Sequence, residues 1–323
     1  MNTRPMTRSL FIFALIGLIA FALTVKAASL APSNPTVYEG FNYSSGAVDG
    51  STQNGGTGMS GAWSTSTTDG GTLYSMVSGG LTFNGATEGS LVTGGSVRAK
   101  RSTAPGGAEM NRAITTVSQG ALTADNTSVW FSVLVNTERF SAGNENGTFV
   151  LGTGALDVNT PDGVLPSITG GEGVGLHIDG LNSGGSPFYI HAYAIDGGTS
   201  AKSGAYLDTG TTAGVYLIAG RMDWAPNGSD DTISLFNITD TVALASLSGG
   251  PATPFATITA DVDQTLFDTL AIANRQVSSL DEIRFGLTFA DVVPGLATIP
   301  EPSTIILAGL GLLGLAFRRR NRK

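Results

Sequence analysis

Short runs in which apolar residues alternate with other residues recur along the middle of the chain, and glycine-rich turns separate them. In the run 128–135, valine and phenylalanine occupy one face, while Trp130 and Leu134 lie on the other. Alternation with a period of two is typical of β-strands, and apolar residues on both faces predict a strand that is covered on both sides. The middle of the chain shows no sustained apolar period of 3.6 residues with helix caps, so it should be nearly all β.

Twelve runs are predicted strands. They lie at residues 36–43, 73–77, 81–84, 113–117, 128–135, 148–151, 173–178, 187–195, 214–224, 232–237, 269–273 and 281–289. Turn-forming residues stand between them, for example Asp196-Gly197-Gly198 and Asn227-Gly228. Strands at this spacing, joined by such turns, predict an antiparallel sandwich or barrel.

The first 27 residues have the pattern of a secretory signal peptide. Arg4 and Arg8 precede an apolar run over residues 10–25, and small residues follow at Ala27 and Ala28. A signal peptidase cleaves after small residues, so we expect a signal helix over residues 1–27 and export through the Sec machinery. The alternative is an N-terminal anchor that is retained.

Residues 299–323 combine three features of a membrane-addressing segment. Pro300, Glu301 and Pro302 come first and keep a helix from beginning before Ser303, which is a good N-cap. The apolar residues 303–317 would then form a transmembrane helix about 22 Å long, which is marginal for a hydrocarbon core of roughly 30 Å. A basic cluster ends the chain: Arg318, Arg319, Arg320, Arg322 and Lys323. Such a cluster stays on the cytoplasmic side, so the larger N-terminal part should lie on the opposite side of the membrane.

This order of motif, apolar run and basic end resembles the PEP-CTERM sorting signal of Gram-negative bacteria. The resemblance implies processing by exosortase, an integral-membrane protease-transpeptidase. The protein would be anchored in the cytoplasmic membrane by a single pass before processing, and would afterwards be at the cell surface or extracellular. The alternative is a short C-terminal anchor that is never processed.

The body between the two addressing segments, residues 28–298, is strongly acidic. It contains nine basic and 24 acidic residues, a net charge of about −15. A surface of this sign repels phosphates, so nucleic acids are excluded as expected partners. The chain has no cysteine, which excludes disulfides, thiol chemistry and cysteine metal sites.

A series of landmarks along the body resembles exported bacterial PEP-CTERM proteins with a laminin-G-like, concanavalin A-like jelly roll. The landmarks lie at residues 37–43, 55–63, 129–135, 217–224, 231–237 and 281–292. The resemblance implies two packed antiparallel sheets, with glycans or calcium bound on the concave face or at loops. In such a sandwich we expect Trp130 to be buried between the sheets.

The run 187–195 offers candidate residues for glycan binding. Alternation places Tyr189, His191 and Tyr193 on one face, opposite an apolar face. Aromatic and polar groups on one face of a sheet can stack on sugar rings, and the alternative is plain packing.

Calcium is the ion that the composition suits, because oxygen ligands abound and sulfur ligands are few. The candidate ligands are Asp230 with Asp231, Asp261 with Asp263, and Asp281 with Glu282. None of these pairs has the spacing of an EF-hand, and the alternative is a set of solvated acidic turns.

The residues that catalysis would require are few. The chain has only two histidines, His177 and His191, and it contains no HExxH, GxSxG or P-loop motif. The closely spaced carboxylates of glycan hydrolases with this fold are also missing. We therefore expect a non-enzymatic envelope or extracellular-matrix protein, whose sandwich is a structural or glycan-binding module for exopolysaccharide. The alternative is a glycan hydrolase or lyase that acts on exopolysaccharide.

Overall fold

The structure, a computed structural model, describes the body of the chain in a series of segments. These are residues 35–48, 52–67, 74–85, 89–92, 95–99, 108–139, 145–157, 164–180, 187–210, 214–238, 253–275 and 277–293. Residues Pro32–Gly295 form one compact unit. The predicted signal helix and C-terminal transmembrane helix lie outside the described residues. Within the described segments, no helix is long and apolar enough to cross a membrane.

The described elements are mainly strands. In chain order they are β1 (Val37–Glu39), β2 (Gly46–Ala47), β3 (Met59–Thr67), β4 (Tyr74–Ser78), β5 (Thr82–Gly85), β6 (Gly89–Val92), β7 (Gly95–Ala99), β8 (Ala108–Ile114), α1 (Thr116–Leu122), β9 (Ser128–Arg139), β10 (Glu145–Gly152), β11 (Gly173–Gly180), β12 (Phe188–Asp196), β13 (Thr199–Lys202), β14 (Leu207–Asp208), β15 (Val215–Asp223), β16 (Asp231–Asn237), β17 (Ala256–Ala260), a 3₁₀ turn (Gln264–Leu266), β18 (Thr269–Arg275), β19 (Val277–Gly286) and α2 (Phe289–Val292).

The strands form two large sheets. The first sheet has the spatial order β17-β16-β15-β9-β19-β7-β4-β2, with β1 paired to β19. The second has the order β13-β12-β11-β10-β18-β8-β3, with β14 paired to β12, and β5 and β6 form a separate hairpin. Non-sequential strands pair within both sheets, and the pairings run antiparallel. The prediction of an all-β antiparallel sandwich is confirmed, and the arrangement is consistent with a jelly roll.

The hydrophobic core lies between the two sheets. Phe131 on β9 and Phe285 on β19 meet Phe149 on β10, and the three ring centroids are 5.6 to 5.8 Å apart. Each of these side chains is at most 1 % exposed. Burying a large apolar side chain of this kind contributes about 1.5 to 3 kcal/mol, so the trio holds the sheets together.

Trp130 lies on the opposite face of β9 and corrects one expectation from the sequence. Its ring contacts Phe236 at 5.7 Å and Phe289 at 5.1 Å between centroids. Phe289 belongs to α2, which covers the outer face of the first sheet. The prediction that this strand is covered on both sides is confirmed. The expectation that Trp130 lies between the sheets is wrong, because its neighbour Phe131 occupies that side.

The predicted strand at 113–117 is wrong in its second half. The strand β8 ends at Ile114, and α1 begins at Thr116. The Thr115 side chain accepts a hydrogen bond from the Ser118 backbone N–H, which satisfies one of the free donors at the start of the helix. A local cap therefore ends the strand.

Candidate functional site

The outer face of the second sheet, at β11 and β12, contains the predicted glycan-binding residues. Phe188, Ile190, Ala192 and Ala194 of β12 belong to the core between the sheets. Because side chains alternate along a strand, Tyr189, His191 and Tyr193 lie on the other face. The division of this run into an apolar and an aromatic face is therefore as the sequence predicts.

Tyr193 is fully buried on this outer face. Its hydroxyl donates a hydrogen bond to the backbone carbonyl of Pro166. Its ring belongs to a small second core with Leu156 and Ile168, which come from the loop between β10 and β11. A ring in this position has no exposed face on which a sugar could stack. Tyr193 instead fixes the covering loop to the sheet.

The two histidines lie beside each other on β11 and β12. His177 Nδ1 is 2.8 Å from the Thr148 hydroxyl, and His191 Nδ1 is 2.8 Å from the Ser203 carbonyl oxygen. A carbonyl only accepts, so His191 Nδ1 carries the proton and its Nε2 is an acceptor. Burial lowers the pKa of His191, and it lowers the pKa of His177 to about 3. Both rings are therefore neutral at pH 7.

Tyr206 completes an aromatic group at this end of β12, next to the half-buried Tyr189 and the buried His191. The Tyr206 side chain is 47 % exposed. Its ring centroid lies 4.5 Å from that of Tyr189, at an interplanar angle of 64°, and 5.3 Å from that of His191. We call Tyr189, His191 and Tyr206 the aromatic corner. The two tyrosine rings meet nearly edge to face, so they present two ring surfaces at an angle to a ligand.

The segment that carries Tyr206 is fixed to the sheet by Ser203. The Ser203 hydroxyl donates to the Ala205 carbonyl at 2.6 Å and accepts from the Ala192 backbone N–H at 3.1 Å. The backbone N–H of Ser203 donates to the Ala192 carbonyl at 2.9 Å. Because these bonds lie within three residues of Tyr206, its ring is held in place before any ligand binds.

Charged groups flank the aromatic corner. Asp179 pairs with Tyr189 in the register between β11 and β12, and Asp208 pairs with Tyr189 in the register between β12 and β14. Lys202 forms an ion pair with Asp179, and their side chains are 32 % and 28 % exposed. The corner thus combines ring faces with carboxylate acceptors and an ammonium donor. Apolar C–H groups of a ligand can stack on the ring faces, and its hydroxyls can bind the carboxylates and the ammonium group. A sugar ring offers both kinds of group.

Asp231 and Asp281, two of the predicted calcium ligands, are fully buried. Asp231 accepts hydrogen bonds from the backbone N–H groups of Ala225 at 2.7 Å and Val262 at 3.1 Å. Asp281 accepts from the N–H of Leu81 at 3.0 Å and from the residue that follows it. Both carboxylates therefore bind backbone N–H groups in the interior of the fold.

The remaining acidic candidates also have internal partners or lie apart. Glu282 forms a buried ion pair with Arg284, Asp261 accepts from the Gly228 N–H, and Asp263 caps the 3₁₀ turn. Asp230 is exposed. Across the described segments, no group of three or more histidine, aspartate or glutamate residues is placed to hold a metal.

Stability should depend on pH through His177. The unfolded chain takes up a proton near pH 6.5, whereas the folded chain does so only near pH 3. The folded pKa is the lower one, so stability is complete above pH 6.5 and is lost as the pH falls towards 3. We expect the free energy of unfolding to fall by about 2 kcal/mol between pH 7 and pH 5 because of this group.

Urea denaturation at pH 7, 6 and 5 measures this dependence. The variant His177→Gln should flatten it. His191→Gln is the matched control, and its effect should be smaller because His191 is less completely buried. If the free energy of unfolding depends on pH in His177→Gln as it does in the wild type, His177 is not the group responsible.

Comparison with known proteins identifies the C-terminal segment. Residues 298–320 match the family model described as the PEP-CTERM protein-sorting motif. The chain therefore carries a PEP-CTERM sorting signal at its C-terminus, as predicted, and the matched segment contains Pro300, Glu301 and Pro302. This signal implies an exported protein that exosortase processes at the membrane, first anchored there and then at the surface. No curated protein matches the chain.

Several solved structures resemble the body. The CBM2 module of the evolved Dit of Lactobacillus casei BL23 phage J-1 is 13 % identical, with a TM-score of 0.37, and the match covers 80 % of this chain and 96 % of that one. The T. cruzi calreticulin globular domain is 11 % identical, with a TM-score of 0.42, over 88 % of this chain and 100 % of that one. The legume lectin-like domain from Entamoeba histolytica is 13 % identical, with a TM-score of 0.30, over 66 % and 89 %. At these scores, the similarity defines neither a ligand nor an activity.

Proposed function

We propose that this chain is an exported cell-surface or matrix protein whose sandwich binds a carbohydrate at the aromatic corner and catalyses no reaction. The observation that carries the proposal is the half-exposed ring of Tyr206, which meets Tyr189 at 64° beside the Asp179–Lys202 pair. A solvent-exposed aromatic ring that is already fixed in place loses little conformational freedom when a ligand stacks on it. The sorting signal supports the cell surface as the place of action.

Binding suits the chemistry of the corner better than catalysis does. His191 is neutral and its Nδ1 proton is engaged by a backbone carbonyl. Asp179 is paired with Lys202, and Asp208 accepts a hydrogen bond from the Gly210 backbone N–H at 2.8 Å. Hydrolysis of a glycosidic bond needs one carboxylic acid and one free carboxylate about 5 to 10 Å apart across the bond, with distinct pKa values. The corner therefore supports recognition, and exopolysaccharide is the polymer that a sorted surface protein would meet.

Removing the Tyr206 ring should weaken carbohydrate binding at least tenfold, which corresponds to about 1.4 kcal/mol. The measurement is a glycan array on the full-length protein in detergent, followed by calorimetric titration of each glycan that binds. Leu287→Ala is the matched control, because Leu287 is 48 % exposed and lies outside the corner.

Two outcomes would contradict the proposal. The affinity of Tyr206→Ala could equal that of the wild type, which would move the site elsewhere. Alternatively, the wild type could release new reducing ends from a bound glycan, which would identify an enzyme. Repeating the titration with a chelator tests the calcium prediction, since a calcium-dependent site would lose affinity.

A further inference from the structure

A cleft lies at the loop between β1 and β2, on a different part of the chain from the aromatic corner. The cleft has a volume of about 510 Å³. It is lined by Asn42, Tyr43, Ser44, Ser45, Gly46, Ala47, Thr52 and Gln53. Ligand sites in proteins typically measure about 300 to 1,000 Å³, so the cleft is large enough for a small molecule.

The lining is polar but carries no charge. Asn42, Ser44 and Ser45 are exposed, and their side chains make no hydrogen bond within the described part of the chain. Their amide and hydroxyl groups can each donate and accept. Tyr43 adds a half-buried aromatic ring to the same wall. The cleft therefore offers free neutral hydrogen-bonding groups next to one ring.

The wall of the cleft is fixed from below by a buried charge pair. The Tyr43 hydroxyl donates to Glu39 at 2.7 Å, and Arg112 donates to the same carboxylate at 2.9 Å. Glu39 and Arg112 are at most 2 % exposed, and each compensates the other's charge. The Tyr43 ring is thus held in position without adding a net charge to the cleft.

The backbone that leads into the cleft is strained. Phe41 has a φ of +48°, a conformation that costs a residue other than glycine about 1 kcal/mol or more. Its N–H donates to the Glu39 carboxylate at 2.7 Å, and its ring stacks on Trp63 with centroids 5.7 Å apart. These contacts hold the strained turn in place. Strain of this kind is concentrated at binding and active sites.

We propose that this cleft is a second binding site, and that its ligand is a neutral saccharide unit. A saccharide presents several hydroxyls to Asn42, Ser44 and Ser45 and an apolar C–H face to the Tyr43 ring. An acidic saccharide is disfavoured, because none of the described residues that line the cleft is basic and the body carries a net charge of about −15. This inference stands on the cleft alone and does not depend on the aromatic corner.

Hydrogen–deuterium exchange of the full-length protein tests the proposal and locates the ligand. The probes are maltose, cellobiose and lactose at millimolar concentration, with sodium glucuronate as the acidic comparison. We expect at least one neutral disaccharide to slow exchange in peptides over residues 42–54, and glucuronate to leave these peptides unchanged. In Tyr206→Ala, any protection over residues 189–208 should disappear while that over 42–54 persists. The experiment can therefore contradict the proposal for either site without contradicting the proposal for the other.

The triple variant Asn42→Ala/Ser44→Ala/Ser45→Ala should weaken binding at the cleft at least tenfold. All three residues are exposed, so the substitutions should leave the melting temperature nearly unchanged. The matched control is Asn227→Ala/Ser229→Ala, which removes the same kinds of side chain from an exposed turn. The proposal is overturned if the triple variant binds like the wild type, if no neutral probe protects residues 42–54, or if glucuronate protects them equally.

Discussion

Replacing Arg112 with leucine is expected to lower the free energy of unfolding by about 3 to 5 kcal/mol. Arg112 Nη1 donates to the Glu39 carboxylate at 2.9 Å, and its Nε donates to the Gly61 carbonyl at 2.9 Å. The side chains of Arg112 and Glu39 are 2 % and 1 % exposed. Leucine would leave the Glu39 carboxylate buried without its cation, and removing one partner of a buried pair costs more than the pair itself contributes.

The other donors to Glu39 explain why the loss should not be larger. Its carboxylate also accepts from Phe41 N–H, the Tyr43 hydroxyl and Trp63 Nε1, at 2.7 to 2.9 Å. These bonds remain in the variant and keep part of the carboxylate's stabilisation. Burial of the carboxylate raises the pKa of Glu39, so the uncompensated group should take up a proton more readily in the variant. The destabilisation should therefore be smaller at pH 5 than at pH 8.

Chemical denaturation followed by tryptophan fluorescence measures the change, and Trp63 reports on the site directly. Arg221→Leu is the matched control, because Arg221 pairs with Asp223 at 2.8 Å while both side chains are more than a third exposed. Exposed ion pairs contribute about 0 to 1 kcal/mol, so the control should change stability little. A loss below about 1 kcal/mol for Arg112→Leu would show that the buried pair does not stabilise the fold.

The sequence predicts those parts of the fold that hydrophobic alternation controls. The run 128–135 alternates with a period of two, and the structure accordingly contains β9 with both faces covered. The same pattern cannot decide which of two apolar faces points between the sheets. Trp130 was therefore placed on the wrong side. The helix α2 decides the matter, since Phe289 covers the Trp130 ring from outside.

Strand β3 shows what alternation misses. Its sequence is rich in serine, threonine and glycine, and a register shift lies between Ser60 and Ser64 where it pairs with β8. Gly61 within this shift has a φ of +69°, which breaks the two-residue period. Such a strand pairs with its neighbour through backbone hydrogen bonds, and its buried Trp63 is not part of an alternating hydrophobic pattern.

The candidate site was predictable only in part, because alternation shows which face of a strand a residue occupies but not what covers that face. Alternation along β12 placed Tyr189 and His191 on the outer face, as the structure does. Tyr193 has the same pattern, but it is buried in one cluster with Leu156 and Ile168 of a loop that is distant in sequence. Tyr206 lies outside every predicted strand, and it joins the corner because β14 pairs with β12. Tertiary contacts, which a local pattern does not contain, decide both outcomes.

Changing Pro300, Glu301 and Pro302 together to alanine should abolish release of the protein from the membrane. These residues lie within the segment 298–320 that matches the sorting motif. In a host that has exosortase, the wild type should lose its basic end and appear outside the cell. The triple variant should remain full length in the inner membrane, because the apolar run and the basic cluster that anchor it are unchanged.

Fractionation and intact-mass measurement distinguish these forms. Pro294→Ala is the matched control, because it removes a proline just outside the matched segment and should be processed like the wild type. In a host without exosortase, all three proteins should stay in the membrane at full length, since the anchor does not need the motif. If the triple variant is processed and released like the wild type in the first host, Pro300, Glu301 and Pro302 are not the feature that the enzyme recognises, and the apolar run or the basic end must carry the signal.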